Sequence, residues 1–418
     1  MTVMICSRLP ELQQGRRLYL LSWAAYAAAY VGRYNYSAVM GAITTEGILS
    51  LPTAGAVSTG YFICYALGQI LCGGLSQCLS PYRMIPAGLV LSGLCNLGMA
   101  ALPGKAMLAL WAVNGLCQAM IWPPIVRLFA ESMPLEQQRA ACVNVNSTTP
   151  AGTLAAYLVS AALLALAGWR QVFFACGGLL LAMALIWCLG TVPLRRATVM
   201  QPAPKPEKRE SGSFPVLAAA LGAGLIWLAI PAMLHGGLKD GVTSWVPSMI
   251  QNNFGVSPSF SAAVSAVLPL VNLTGAYTAG WLDRNVFHNE LKTSASLFAA
   301  AVVCLAALPL AVAHSLAVSV ILLSLVTASM LGINTMFINV MPVRAGRKGG
   351  AAVLSGTLNA VTYLGAAAAT WGIGSAAGVW GWSAAFALWL LMAALGLAVS
   401  AVTAGRWAWF AAEQEESE

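Results

Sequence analysis

The sequence predicts an all-α membrane protein, with twelve transmembrane helices arranged as two six-helix bundles. Three observations carry that expectation. Of 418 residues, 59% are hydrophobic and only 8% charged, with a mean hydropathy of +0.77. A water-soluble surface is usually about a quarter Lys, Arg, Glu and Asp. Apolar runs of the ~20 residues needed to cross a bilayer recur along most of the chain, and the ~10-residue alternation of a membrane β-barrel is absent. A single long polar stretch, PLRRATVMQPAPKPEKRESGS (193–213), divides those runs six and six.

The elements follow in order. The first span, 18–43, is preceded by Arg16 and Arg17. These flank a span rather than a cleavage site, so no signal peptide is expected. Spans two and three run over 54–78 and 84–103. Span four, 106–131, contains Pro123 and Pro124, each of which removes a backbone donor, so a bend is expected there. Spans five and six, 139–166 and 170–191, complete the first bundle, residues 1–192. The 193–213 linker has no apolar periodicity and is expected to be flexible. Span seven, 214–250, opens the second bundle, residues 214–418, with a bent or unwound end expected near Pro247. Spans eight to twelve run over 259–282, 292–313, 315–342, 348–376 and 380–404, leaving a short tail. Glycine-rich spans two, five and eleven permit close helix approach.

Orientation follows from the cations. Of 21 Lys and Arg residues, Arg33 and Lys239 lie inside spans, and Lys105 and Arg170 fall in short loops of one side. The other 17 sit at the N-terminus, at or after the ends of even-numbered spans, or at the C-terminus. The positive-inside rule then puts both termini and the linker in the cytoplasm, around a multi-pass protein of the cytoplasmic (inner) membrane. The net charge of +8 thus reflects topology, and no nucleic-acid partner is expected. The ten cysteines lie mostly in apolar runs without metal-ligand spacing, which suits small core residues. No metal or other cofactor is expected, and the chain is not expected to be an enzyme. Nothing resembles a Walker A loop, so transport is not expected to be powered by ATP within this chain.

The halves look related. Aligning Arg33 with Lys239, an offset of 206, sets RYNYSAVMG against KDGVTSWVP and GLSQ (74–77) against GWLD (280–283). GWRQVF (168–173) and GWSAAF (381–386) share Gly-Trp-x-x-x-Phe before spans six and twelve. A charge at the bilayer centre costs roughly 2.5–3.5 kcal/mol on insertion scales. Arg33 lies about 22 Å along its span, beyond snorkelling range of the cytoplasmic face. In a two-repeat fold, cations at equivalent positions face each other across a central cavity. With few anions nearby they make an electropositive site for a phosphate or carboxylate. Arg can grip an oxyanion bidentately, whereas Lys acts as a point charge. The plain alternative is that each cation pairs with a fixed acid. Acids are scarce: Asp240 adjoins Lys239 but is expected to point about 100° away, and Glu46 is near the outer end of span one.

Other polar residues fall on the same faces. Tyr26, Tyr30 and Arg33 share one at i, i+4, i+7. Asn114, Gln118 and Trp122 repeat at i, i+4, i+8 on span four, and Asn359 and Tyr363 form an i, i+4 pair on span eleven. Each set could line a cavity or glue helices together. His235, one turn before Lys239, could be a cavity residue or a packed one. No Asp or Glu sits mid-span in the first half, which favours exchange over proton symport. Asp240 keeps a proton-coupled mechanism open.

At NGLCQAMIWPPIVR (114–127) the chain resembles the organophosphate:phosphate antiporter family of the major facilitator superfamily. The resemblance rests on Asn114-Gly115, Gln118, Trp122-Pro123-Pro124 and Arg127, with GRYN (32–35), KDGVTSWVP and Tyr363-Leu364-Gly365 in support. It implies the major facilitator fold, which is built of two parallel six-span repeats. It also implies that Arg33 and Lys239 hold phosphate, with Tyr26 and Tyr30 matching tyrosines beside that arginine and Asn35 completing Arg-x-Asn. Some positions depart from the glycerol-phosphate branch. Lys239 replaces an Arg and Gln69 a Lys, and Pro150 replaces a His, with Asn144, Asn146 and Ser147 nearby. GGLSQCLSPYR lacks the acid of the usual Gly-x-Leu-x-Asp-Arg signature.

The resulting expectation is a monomeric secondary transporter. It exchanges a small phosphorylated organic anion, glycerol-3-phosphate or a sugar phosphate, for inorganic phosphate by rocker-switch alternating access. Its expected substrate-binding residues are Arg33, Lys239, Tyr26, Tyr30, Asn35, Gln69, Gln118, Trp122, Asn146, His235, Asn359 and Tyr363. One rival is an organic-anion or carboxylate transporter, coupled to protons through Asp240. Another is a membrane sensor that keeps the fold, for which a soluble signalling extension would be the expected mark. The largest soluble piece is 193–213.

Overall fold

A computed structural model describes residues 5–8, 12–102, 104–133, 137, 141, 144–197, 199–202, 225–345 and 351–416. Among them the chain is helical apart from one short strand pairing. In the first half α1 spans Leu12–Thr45, α2 Leu51–Cys78 and α3 Pro81–Ala101. The fourth span is α4 (Met107–Ala119) and α5 (Trp122–Ser132), followed by α6 (Thr148–Leu166) and α7 (Trp169–Ala197). In the second half come α8 (Ala229–Gly236), α9 (Val242–Phe254), α10 (Pro258–Ser265) and α11 (Val267–Leu282). They are followed by α12 (Glu290–His314), α13 (Leu316–Thr335), α14 (Met341–Ala345), α15 (Ala351–Trp380) and α16 (Trp382–Glu416). Nine helical segments among the described residues are long and apolar enough to cross a membrane. Ile70, Leu185, Val303 and Leu310 are each at least 60% exposed, an outer surface suited to lipid.

The chain divides into two compact units, residues 1–39 with 63–208 and residues 40–62 with 209–418. In the first, α3 packs along α7, and α1 is buried on every side over residues 28–43, its last four positions counting with the second unit. A helix apolar and buried all round belongs in a core rather than against lipid. In the second, residues 235–251 are buried in the same way, except half-buried Lys239. The offset of 206 therefore maps one fully buried helix onto the other. Within this unit, Gln251 Nε2 donates to Thr45 Oγ1 at 2.7 Å, Thr59 Oγ1 to the Ala367 carbonyl at 2.8 Å, and Trp245 Nε1 to the Thr370 carbonyl at 3.1 Å.

The Gly-Trp-x-x-x-Phe repeat has the same conformation twice. Gly168 and Gly381 have φ of 86° and 81°, a region side chains disfavour. Each glycine ends one helix, and Trp169 or Trp382 starts the next. Trp169 packs on Phe173 and Trp382 on Phe386.

Three local expectations are corrected. The irregularity in span seven is not at Pro247, which lies inside α9, but at Gly237–Gly241, a π-helical turn. Gly236, Gly237 and Gly241 weaken the α-helix there. The 193–213 linker is not structureless at its start. Helix α7 continues to Ala197 with Pro193 inside it, and β2 (Val199–Pro202) pairs antiparallel with β1 (Ile5–Arg8). Backbone pairing there satisfies polar groups that composition alone assigns to water. The final helix runs to Glu416, beyond the expected 404. The rest of the linker and the start of span seven lie outside the described residues.

Candidate substrate-binding site

Arg33 sits in the buried stretch of α1 and is only 6% exposed. Its guanidinium carbon lies 5.7 Å from the Tyr30 ring centre, 5.5 Å from that of Tyr34 and 4.9 Å from that of Tyr65 on α2. An aromatic face stabilises a cation by up to ~2 kcal/mol when desolvated. Unlike a carboxylate, it does not neutralise the charge. The rings of Tyr30, Tyr34 and Tyr65 pack around this buried guanidinium.

The rings continue as a ladder. Tyr34 stacks on Tyr30 at 6.0 Å, Tyr30 meets Tyr26 edge-on at 5.1 Å, and Tyr26 stacks on Trp122 at 4.8 Å. Trp122 reaches this position because span four breaks in front of it. Its Pro123 and Pro124 supply no backbone donors, the chain tightens at Met120 and Ile121, and α5 restarts at Trp122. Gln69 lies one turn beyond Tyr65 on α2, on the same helix face. Its Nε2 is buried without a hydrogen-bond acceptor among the described residues. A buried unsatisfied donor costs about 1–3 kcal/mol, so this amide is poised for an acceptor.

Asn35 and Gln118 are engaged elsewhere. Asn35 Nδ2 donates to Asn96 Oδ1 on α3 at 2.7 Å. Asn96 Nδ2 donates to the Gly32 and Ser92 carbonyls at 3.2 and 3.0 Å. Ser92 Oγ donates to Asn114 Oδ1 at 2.6 Å, and Gln118 Nε2 donates to the Ala29 carbonyl at 3.0 Å and to Ser92 Oγ at 3.2 Å. This buried network ties α3 and α4 to the α1 backbone immediately before Arg33. It positions the arginine, and these amide donors serve helix packing. Asn146 is exposed on the 3-10 turn Val145–Ser147, whose Ser147 Oγ accepts from Trp23 Nε1 at 2.9 Å. Pro150 is buried in α6.

The second unit carries Lys239 on the π turn. Its Nζ is 3.6 Å from Asp240 Oδ2 and 5.9 Å from the Tyr363 ring centre. The expectation that Asp240 points away is corrected, since the neighbouring carboxylate pairs with the ammonium. Thr243 Oγ1 donates to the Lys239 carbonyl at 2.6 Å, satisfying backbone that the turn distorts. π turns of this kind are frequent at functional sites. His235 is fully buried, with Nε2 3.4 Å from Asn334 Oδ1 and its ring stacked on Phe337 at 5.7 Å. Tyr363 stacks on Phe62 at 6.3 Å, while Asn359 is half-buried one turn before it on α15.

Sequence reasoning missed Tyr34, Tyr65, Ser92, Asn96, Asn334 and Phe337. Tyr34 extends the Tyr26–Tyr30 spacing by one more step, and Ser92–Asn96 is an i, i+4 polar pair in an apolar span. Each is a signal that spacing carries. Tyr65, Asn334 and Phe337 carry none, because their importance comes from what they meet in space.

The family model described as Major Facilitator Superfamily matches residues 22–370. A protein of Salmonella typhimurium named membrane sensor protein UhpC is 22% identical over 301 residues, covering 69% of this chain and 68% of its own. The glycerol-3-phosphate transporter of Haemophilus influenzae is 31% identical over 107 residues, but covers only 24% of this chain and 22% of its own. Among solved structures, an inward-facing, unoccupied bacterial homolog of the human lysosomal transporter Spinster has a TM-score of 0.74 at 16% identity. That match covers 97% of this chain and 98% of the other.

Proposed function

The chain belongs to the major facilitator superfamily, and from that premise we propose that it exchanges a small phosphorylated organic anion for inorganic phosphate. The observation that carries the reading is Arg33, a buried guanidinium in the core of a membrane-spanning helix with the rings of Tyr30, Tyr34 and Tyr65 around it. Phosphate offers two oxygens to the guanidinium fork and a further acceptor to Gln69 Nε2. Lys239 adds a second cationic contact. Tyr26, Tyr30, Trp122, His235, Asn359 and Tyr363 serve the organic part, where ring stacking and single hydrogen bonds select shape. The bundles 1–192 and 214–418 expose the site alternately to the two sides. Both termini are cytoplasmic and the working unit is the monomer.

The test is exchange in proteoliposomes loaded with inorganic phosphate. External glycerol-3-phosphate or hexose phosphate should enter only when phosphate is inside. If a carboxylate enters with protons instead, the proton-coupled carboxylate reading replaces this one. One specific observation favours a sensing role as the second reading, namely the relative named a membrane sensor protein over two thirds of the chain. Under it, purified protein binds hexose phosphate without catalysing any flux.

A further inference from the structure

A second site lies away from the arginine and its tyrosines. Between the start of α1 and the later half of α7 is a cleft of about 340 Å³. Arg16 and Arg17 line it at one end; both are exposed, and neither has an ion-pair partner among the described residues. The remainder of the wall is mainly apolar. Met183 is buried, Ala24 is half-buried, and Leu20 and Ile186 are each 52% exposed on the outer surface.

We propose that this cleft binds one anionic phospholipid. Successive helix residues point about 100° apart, so the two guanidinium groups bracket one headgroup phosphate from two directions, each able to fork onto its oxygens. The acyl chain lies along Ala24 and Met183 and leaves past Leu20 and Ile186, the exposed pair that opens sideways to the bilayer. The volume equals roughly eleven waters at ~30 Å³ each, room for a glycerophosphate and the first methylenes. A soluble phosphate satisfies the arginines but leaves the apolar wall unfilled. A zwitterionic lipid brings its own cation against two arginines. Basic pockets between helices at the cytoplasmic side recognise anionic headgroups on this physical basis, and the charge distribution of the chain puts Arg16 and Arg17 on that side.

The experiment uses full-length protein in nanodiscs of phosphatidylcholine with a minor share of phosphatidylglycerol, then native mass spectrometry of the lipid retained in neutral detergent. The wild type should keep one phosphatidylglycerol in preference to phosphatidylcholine. The double variant R16A/R17A should lose that preference by about thirtyfold, at ~1 kcal/mol per arginine. Ile186→Asn should weaken retention with both charges still present. Should the double variant fail to fold, Arg16→Gln and Arg17→Gln singly carry the test, each with an intermediate loss. Equal retention of both lipids by the wild type, or unchanged preference in the arginine variants, overturns the proposal. Displacement of phosphatidylglycerol by millimolar inorganic phosphate also overturns it, by making the cleft a soluble-anion site.

Discussion

Replacing Arg33 with Lys keeps the charge and removes the fork. In the wild type the guanidinium carbon is 4.9–5.7 Å from three ring centres, so the side chain is fixed in direction as well as position. A lysine ammonium can still lie over a ring, but it offers an oxyanion point contacts in place of two parallel ones. Losing one of two charge-assisted hydrogen bonds is worth about 1.5–3 kcal/mol, or roughly 10- to 150-fold in affinity. The assay is phosphate binding to purified protein by calorimetry, paired with phosphate exchange in proteoliposomes. A thermal melt of the variant separates lost binding from lost fold. Arg33→Gln should bind more weakly still. If Arg33→Lys binds phosphate within threefold of wild type while folded, bidentate recognition at Arg33 is refuted.

Three further outcomes are expected. Asp240→Asn removes the carboxylate 3.6 Å from Lys239, so phosphate affinity should rise about fivefold for ~1 kcal/mol of lost competition; abolished proton-driven uptake would instead support the proton-coupled rival. Asn96→Ala strands Asn35 Nδ2 and removes the bonds to the Gly32 and Ser92 carbonyls, and should cost about 2–3 kcal/mol. A fluorescence melt should show a lower Tm, and an unchanged Tm would remove the network's assigned positioning role. Gly381→Ala forces a side chain to φ 81° and should cost about 1–2 kcal/mol. Gly405→Ala, where a Cβ meets open space inside α16, should leave the melt unchanged or raise it; equal effects of the two would contradict the backbone argument.

Much of the protein is legible in the order of its residues. Hydropathy delimits most of the spans because a bilayer core imposes one length on every crossing helix. The 206-residue offset picks out the two cation-bearing helices, both of which are buried all round. Pro123 and Pro124 mark the break in span four, since a missing donor acts locally. Gly168 and Gly381 can be paired from a six-residue motif because a turn is a short-range object. What fails is neighbourhood. Gln118 shares a helix face with Trp122 and Asn35 stands two residues after Arg33, yet their donors reach Asn96, Ser92 and the Ala29 carbonyl.

By itself, then, the sequence determined the helical membrane architecture, the repeated motifs of the two halves, the two cations inside spans and the tyrosine stripe, because each follows from periodicity or from the cost of a charge in hydrocarbon. Tertiary structure alone decided that Arg33 is held by Tyr65 as well as its own helix's rings, that Asp240 pairs with Lys239 on a π turn, and which amides hydrogen-bond to a neighbouring helix. Helical spacing fixes the angle between side chains on one helix. It carries no information on which other helix stands opposite, and the energy of a buried polar group is settled by that partner.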